Sequence, residues 1–100
     1  MIKTEILNVN GKPVQGVCIE APGGEGHPNM LVMTAKRGYI MCGYLNQDTA
    51  VAVGDAACVI SGSCFEDLLA NPVKAVTPEA ERLGIKTGMT GAEACDILNS

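Results

Sequence analysis

The feature that most constrains this sequence is a pair of apolar runs, MLVMTA and YIMCGYL, separated by the polar tip Lys36-Arg37-Gly38. Two such runs around a short tip predict a β-hairpin, with Gly38 in the left-handed position after a type I turn. Alternate residues along a strand point to opposite faces, and here neither face is polar. A strand that is apolar on both faces needs a covering layer on each side. The pattern therefore predicts a hairpin with a packing layer on each of its two faces.

The composition indicates that a second subunit supplies part of the covering layers. One hundred residues predict a single domain, residues 1–100. A chain of this size buries only about two-thirds of its unfolded surface, so its core is small. Yet 47% of the residues are apolar and only 18% are charged, compared with about 25% charged in an average domain. A partner subunit commonly covers such surplus apolar surface, so we expect a homo-oligomer.

Charge and hydropathy argue against two classes of partner. The seven basic residues are scattered, and only Lys36 and Arg37 are adjacent, whereas nucleic-acid binders cluster their basic residues. Rings that could stack on bases are limited to two tyrosines and one phenylalanine. No run approaches the ~20 apolar residues of a membrane span, and no apolar signal segment follows Met1. We therefore predict no nucleic-acid partner, no membrane association and a cytoplasmic location.

The cysteines agree with a reducing compartment. Their number is odd, and none lies in a CxxC motif. We expect reduced thiols that pack mostly as small apolar side chains. These residues are Cys18, Cys42, Cys58, Cys64 and Cys95.

The N-terminal segment predicts another hairpin, with its turn at Asn10-Gly11, because both central residues of a type I′ turn need positive φ. This turn sets the register, so that Val9 faces Lys12 and Leu7 faces Val14. Pro13 cannot donate a ladder bond, which predicts a sheet edge at that end. The register places five residues on one face: Ile2, Thr4, Ile6, Val17 and Ile19.

The remainder of the chain predicts short helices around one strand, AACVIS. A first short helix is expected to end at Gly54. Further helices follow capping signals at Ser63, Thr77 and Thr90, the first and third with Glu three residues later. The predicted fold class is therefore α+β, with N-terminal antiparallel hairpins followed by a strand and short C-terminal helices. Residues 1–46 form a β-rich oligomerisation half, and residues 47–100 form a mostly helical half.

Cys42 is the candidate for thiol chemistry. A nucleophilic cysteine needs a helix N-terminus, a cation or a histidine to stabilise its thiolate. His27 is the only histidine and would have to fold across to Cys42. Gly43 could leave space for a ligand beside the sulfur. The competing interpretation is that Cys42 is a packed strand residue, which is the common role of a free cysteine.

The loop PGGEGHPN, residues 22–29, is the candidate for anion binding, through Gly23, Gly24, Gly26 and His27. However, phosphate-binding fingerprints place their glycines between a strand and a helix, whereas this loop precedes a strand. A plain connection is the favoured alternative. No metal site is predicted, because no HxxxH, CxxC or HExxH motif is present. No cofactor is predicted either.

Several motifs together resemble the YunC-like domain-of-unknown-function family of small bacterial and archaeal proteins. These motifs are GYIMCGYLN, GDAA, FEDLL, NPVKAVT, AERLGI and GMTGAEA. The family has no established activity, so the resemblance implies no catalytic residue. It implies tetramerisation through the N-terminal β region, with helices following. Cys42 falls on a cysteine of the family, whereas Cys64 stands where the family has a threonine.

These observations lead to two functional hypotheses. The first is a cytoplasmic homotetramer without established catalysis, which acts as a ligand-binding or protein-interaction module. The second is a thiol-dependent enzyme or redox sensor that uses Cys42 in a pocket between subunits. Five residues of the apolar hairpin are predicted to lie at the subunit interface: Leu31, Met33, Tyr39, Met41 and Tyr44.

Overall fold

The computed structural model describes all 100 residues and contains one six-stranded sheet, in the order β1-β2-β3-β4-β5-β6. The strands are β1 (Ile2–Val9), β2 (Lys12–Ile19), β3 (Met30–Thr34), β4 (Gly38–Met41), β5 (Ala56–Val59) and β6 (Ala75–Val76). The helices are α1 (Gln47–Ala52), α2 (Phe65–Ala70), α3 (Pro78–Leu83) and α4 (Gly91–Leu98). The predicted α+β class is confirmed. The helical half also adds β5 and β6 to the sheet, and β6 was not predicted.

The first hairpin has the predicted turn and register. Asn10 and Gly11 adopt φ values of 54° and 84°, as a type I′ turn requires. Val9 pairs with Lys12, and the register continues to Ile2 opposite Ile19. Pro13 lies beyond the stretch of β2 that pairs with β3, so its missing N–H faces no neighbouring strand.

The second hairpin differs from the prediction at its turn and at its end. Gly38 is not left-handed; it lies within β4, and a Cβ there would come within 1.9 Å of the Ala56 carbonyl oxygen. This glycine is therefore explained by the close approach of β5 rather than by turn geometry. β4 ends at Met41, so Tyr44 lies outside the strand that was predicted to contain it.

The sheet is covered on both sides at β4. Ile40 and Met41 point to opposite faces and are 0% and 1% exposed. On one face, Ile40 lies in the main core together with buried residues of α2, α3 and α4. On the other, Met41 packs with Ala57 and with Ala50 of α1. The predicted double cover of this strand is confirmed, and both layers come from the same chain.

β4 and β5 form the one parallel pair of the sheet. Parallel strands need a crossover of about a dozen residues or more. The segment 42–55, which includes α1, supplies that crossover. The prediction of antiparallel hairpins followed by a strand did not include this pairing.

Three helix ends carry the predicted signals, and one does not. The left-handed Gly54 follows the end of α1, Thr77 caps α3, and Thr90 forms a capping box with Glu93 at the start of α4. At α2 the cap position is Cys64, which makes no side-chain capping bond, and Ser63 instead bonds to Asp67. No helix of the structure has the length and apolar character that crossing a bilayer requires.

One face of β1–β3 lies beyond the cover of α1, and we call its apolar side chains the open face. Ile2 and Ile6 of β1 are 67% and 74% exposed. Strand pairing aligns Ile19 and Met30 with Ile2 in one row, and Val17 and Val32 with Thr4 in the next. The open face consists of Ile2, Ile6, Val17, Ile19 and Val32, whereas Met30 packs against the main core.

Candidate functional site

A pocket of about 630 Å³ lies at the carboxyl ends of the parallel strands β4 and β5. Three chain segments line it. They are His27-Pro28-Asn29 before β3, Cys42-Gly43-Tyr44 after β4 and Ser61-Gly62 after β5. Ligands of open sheets commonly bind in the crevice outside the carboxyl ends of parallel strands. This pocket is therefore the candidate functional site.

The two strand ends are held side by side by the last bonds of the ladder. The N–H of Ile60 donates to the Met41 carbonyl at 3.0 Å, one step beyond β5. The N–H of Leu45 then donates to the Cys42 carbonyl at 3.2 Å, which closes a turn after β4. The strands separate at this point, and the pocket lies where they do.

Asn29 fixes the loop segment against the other pocket segments. Its Oδ1 accepts a hydrogen bond from the Ala21 N–H at 3.0 Å, and its Nδ2 donates to the Ser63 carbonyl at 2.9 Å. The Tyr44 hydroxyl also donates to the Pro28 carbonyl at 3.3 Å. These bonds connect all three segments, so the loop 22–29 forms one wall of the pocket.

Cys42 is the one fully buried residue of the pocket lining, at 4% exposure. Its Sγ accepts a hydrogen bond from the Leu31 N–H at 3.2 Å. His27, by contrast, is exposed. The fold therefore brings the two residues of the proposed thiol site to one pocket, although they are far apart in the sequence.

The other cysteines lie outside the pocket lining. All five thiols are free, and all except Cys64 are buried, as predicted. Burial raises the pKa of Cys58 to about 12 and that of Cys95 to about 11, which disfavours their thiolates. No group of three or more His, Cys, Asp or Glu side chains is arranged to hold a metal ion.

Comparison with known proteins identifies the family of the chain. A family model described as "Domain of unknown function (DUF1805)" matches residues 41–98. The "Uncharacterized protein YunC" of Bacillus subtilis (strain 168) is 31% identical over 102 aligned residues, which cover 94% of each chain. This chain belongs to the DUF1805 family. The predicted resemblance to YunC-like proteins is confirmed.

A solved structure shares the fold of this DUF1805 chain. It is the crystal structure of TA1206, a protein of unknown function from Thermoplasma acidophilum. The two chains are 30% identical and superpose with a TM-score of 0.88, over 99% of this chain and 94% of the other. The likeness extends beyond the DUF1805 match, which begins at the end of β4, to include β1–β3.

The DUF1805 match includes two of the three pocket segments. The residues after β4 and after β5 lie within residues 41–98, whereas the loop wall lies before them. Among the four predicted loop candidates, only His27 lines the pocket. Gly24 and Gly26 have positive φ, and a Cβ at Gly23 would meet the His27 ring at 3.1 Å. These glycines are explained by the path of the loop.

The predicted interface residues have different environments. Leu31, Met33 and Met41 are each 1% exposed within the single chain, so they belong to its core and offer no surface to a second copy. Tyr39 is partly buried, and Tyr44 is exposed and lines the pocket. A role for the two tyrosines in assembly stays a prediction.

Sequence reasoning missed four pocket residues, which are Pro28, Asn29, Ser61 and Gly62. No motif marks them, because they line the pocket through the pairing of β4 with β5 and the path of the loop. A parallel pairing of the two runs YIM and AACV would have placed the residues that follow them at one sheet edge. That pairing was the missing signal.

Proposed function

We propose that this chain is a small-ligand-binding protein that works as a cytoplasmic homo-oligomer. The observation that carries the proposal is the pocket at the carboxyl ends of β4 and β5. Its volume of about 630 Å³ lies within the range of about 300–1,000 Å³ that is usual for small-molecule sites. The pocket combines a buried thiol with exposed imidazole, phenol and hydroxyl groups, a lining that can contact both apolar and polar groups of a small ligand.

Gly43 offers a direct way to test this function. A Cβ at Gly43 would have no neighbour within 4 Å, and its φ is not positive, so larger side chains fit the fold. A thermal-shift screen of small polar fragments should give hits with the native protein. Gly43→Leu should lose those hits because its side chain fills the pocket, and Gly43→Ala should keep them. Hits that survive in Gly43→Leu would place binding elsewhere and count against the proposal.

Self-association is supported by the open face. The face contains five apolar side chains, and the charged residues of β1 and β2 alternate away from it. Two copies can therefore pack open face to open face without burying a charge, which would be costly. An exposed apolar face of this kind marks an interaction surface. We propose a second copy of this chain as its occupant.

The tetrameric state and the cytoplasmic location have separate supports. Four subunits is the number that the YunC-like resemblance implies, and the open face offers the contact surface. The five free thiols, of which four are buried, fit a compartment that keeps cysteines reduced.

The second candidate function is thiol chemistry at Cys42. It is favoured by one observation, that Cys42 and His27 line the same pocket. A Cys64→Ser background removes the exposed thiol and leaves four buried ones. Fast labelling of one further thiol in the folded protein, lost in Cys42→Ala, would support a reactive Cys42. Labelling only on unfolding would eliminate the thiol function and leave ligand binding intact.

A further inference from the structure

β1 is an open edge of the sheet. It pairs with β2 on one side, and no strand of the chain lies on its other side. It is eight residues long, contains no proline and pairs with β2 without a bulge. Short length, proline and bulges are common means by which proteins prevent a further strand from adding to an edge. The opposite edge, β6, has only two residues. β1 is therefore the edge that can accept a further strand.

The register of the first hairpin fixes which backbone groups of β1 point outward. The N–H of Glu20 donates to the Met1 carbonyl at 3.0 Å, one step beyond the paired strands. Bonded and non-bonded pairs alternate along an antiparallel ladder, so the odd-numbered residues of β1 are those that bond to β2. The even-numbered residues direct their N–H and C=O groups away from the sheet. They are Ile2, Thr4, Ile6 and Asn8.

A second copy of β1 fits this edge in one antiparallel register. With Thr4 opposite Thr4 of the other copy, outward-pointing residues face one another along the whole contact. Lys3 of each copy then lies opposite Glu5 of the other. On the open face, Ile2 lies opposite Ile6. A register centred on residue 5 would place Glu5 opposite Glu5, and one centred on residue 3 would place Lys3 opposite Lys3. Like charges directly opposite each other are destabilising.

The charges of β1 support the same register. Glu5 is exposed and forms no ion pair within its own chain. Lys3 is also exposed, and its Nζ lies 2.6 Å from a carboxylate oxygen of Glu20. The pairing brings Glu5 of the second copy to the same ammonium group, and two-fold symmetry forms this contact twice. Opposite charges stabilise such cross-strand pairs. The edge is thus complementary to itself.

We propose that β1 pairs antiparallel with β1 of a second copy, with the two Thr4 residues on either side of the two-fold axis, so that two sheets join into one. The inference rests on the proposed homo-oligomer and adds a contact distinct from the open face. Because this axis is perpendicular to the sheet, the open faces of both copies lie on one side and form a larger apolar surface. Two such pairs that pack through this surface give a closed tetramer with D2 symmetry.

The first test is amide hydrogen exchange of native ¹⁵N-labelled full-length protein, at a concentration where sedimentation shows oligomers. The pairing bonds the N–H groups of Thr4 and Ile6 to the second copy. Asn8 points the same way but lies beyond the end of the contact, so it is the internal control. We expect Thr4 and Ile6 to exchange at least about tenfold more slowly than Asn8. Equal rates would overturn the pairing, and slow exchange at Asn8 as well would overturn its register.

The second test breaks the edge contact alone. Thr4→Pro removes the outward N–H group, and proline is tolerated on an edge strand because no bond to β2 is lost. Thr4→Val keeps that N–H group and is the matched control. In sedimentation velocity, Thr4→Pro should lower the mass of the assembly about two-fold, and Thr4→Val should match the native protein. Circular dichroism checks that both variants are folded.

Two results of this second test would overturn the inference, and they differ in what they mean for the proposed function. If folded Thr4→Pro keeps the native mass, the edge contact is absent, and assembly through the open face survives. If the native protein is a monomer, both the edge contact and the proposed homo-oligomer are refuted.

Discussion

The backbone N–H of Leu31 donates a hydrogen bond to the Sγ of Cys42, at 3.2 Å, where the β3–β4 ladder would ordinarily use the Cys42 carbonyl. That carbonyl accepts from Leu45 instead, because the chain turns there to form the pocket. The sulfur therefore completes the ladder at the point where the backbone leaves it. This gives Cys42 a structural role that needs no catalysis.

Cys42→Ala should destabilise the fold more than removal of a comparable buried thiol. It leaves the buried Leu31 N–H without an acceptor, which costs about 1–3 kcal/mol of the free energy of unfolding. Cys18→Ala is the matched control, since Cys18 is also buried in the main core but accepts no hydrogen bond through its sulfur. Urea unfolding of both variants measures the difference. Equal losses of unfolding free energy in Cys42→Ala and Cys18→Ala would contradict a role for the Cys42 sulfur as a hydrogen-bond acceptor.

Tyr39 should make stability depend on pH in alkaline solution. Burial, and then the 2.6 Å hydrogen bond that its hydroxyl donates to Asp55, raise the pKa of Tyr39 from 10.0 to about 12. Because the folded-state pKa is the higher one, this contribution to stability is fully present below pH ~10 and is lost as the pH rises through about 12. Tyr39→Phe should lower the free energy of unfolding by about 1–2 kcal/mol at neutral pH.

Urea unfolding at neutral pH and near pH 11 measures both effects. Tyr44→Phe is the control, because the Tyr44 hydroxyl is exposed and donates a longer hydrogen bond, of 3.3 Å, to the Pro28 carbonyl. Tyr44→Phe should keep the alkaline loss of stability, and Tyr39→Phe should reduce it. The same alkaline loss in both variants would show that Tyr39 is not its source.

Gly38→Ala should be destabilising, and Gly43→Ala should be nearly neutral. The Cβ at position 38 would meet the Ala56 carbonyl oxygen at 1.9 Å, so β4 and β5 would have to separate. Such overpacking costs about 1–3 kcal/mol, and the backbone contact puts this case at the upper end. Thermal unfolding of the two variants tests the comparison. Equal stability would mean that the β4–β5 contact is looser than described.

Ile6→Lys should prevent assembly while leaving the subunit folded. Ile6 is 74% exposed in the single chain, so the substitution costs the subunit little, but it places an ammonium group in the proposed interface. Glu5→Lys introduces the same side chain on the opposite face of β1 and is the matched control. Sedimentation velocity should show oligomers for the native protein and for Glu5→Lys. A folded native monomer at micromolar concentration would refute the proposed assembly.

Local signals in the sequence predicted the parts of the fold that depend on neighbouring residues. The turn at Asn10-Gly11 set the whole register of the first hairpin, since one residue of slip would reverse every side chain. The caps at Thr77 and Thr90 marked two helix starts for the same reason, because each bond spans three residues. Ser63 failed as a cap because α2 begins one residue later than predicted, at Phe65, so that Cys64 occupies the cap position and the Ser63 hydroxyl donates to Asp67 instead.

The site could be predicted only in part, because it depends on long-range pairing. Cys42 and His27 were both singled out by residue type, but their convergence requires the loop to fold over the end of β4. The strand end at Met41 depends on the Cys42 carbonyl, whose partner Leu45 is not marked by any turn motif. The apolar run YIMCGYL was therefore predicted to be one long strand, whereas its second half forms a wall of the pocket.

The most direct test of the central claim, that the pocket binds a small ligand, is to map fragment binding by amide chemical shifts. We predict that hits from the thermal-shift screen shift the amides of residues 27–29, 42–44 and 61–62 in the native protein. The same fragments should leave those amides unmoved in Gly43→Leu. Shifts confined to other residues, or unchanged by Gly43→Leu, would contradict the account.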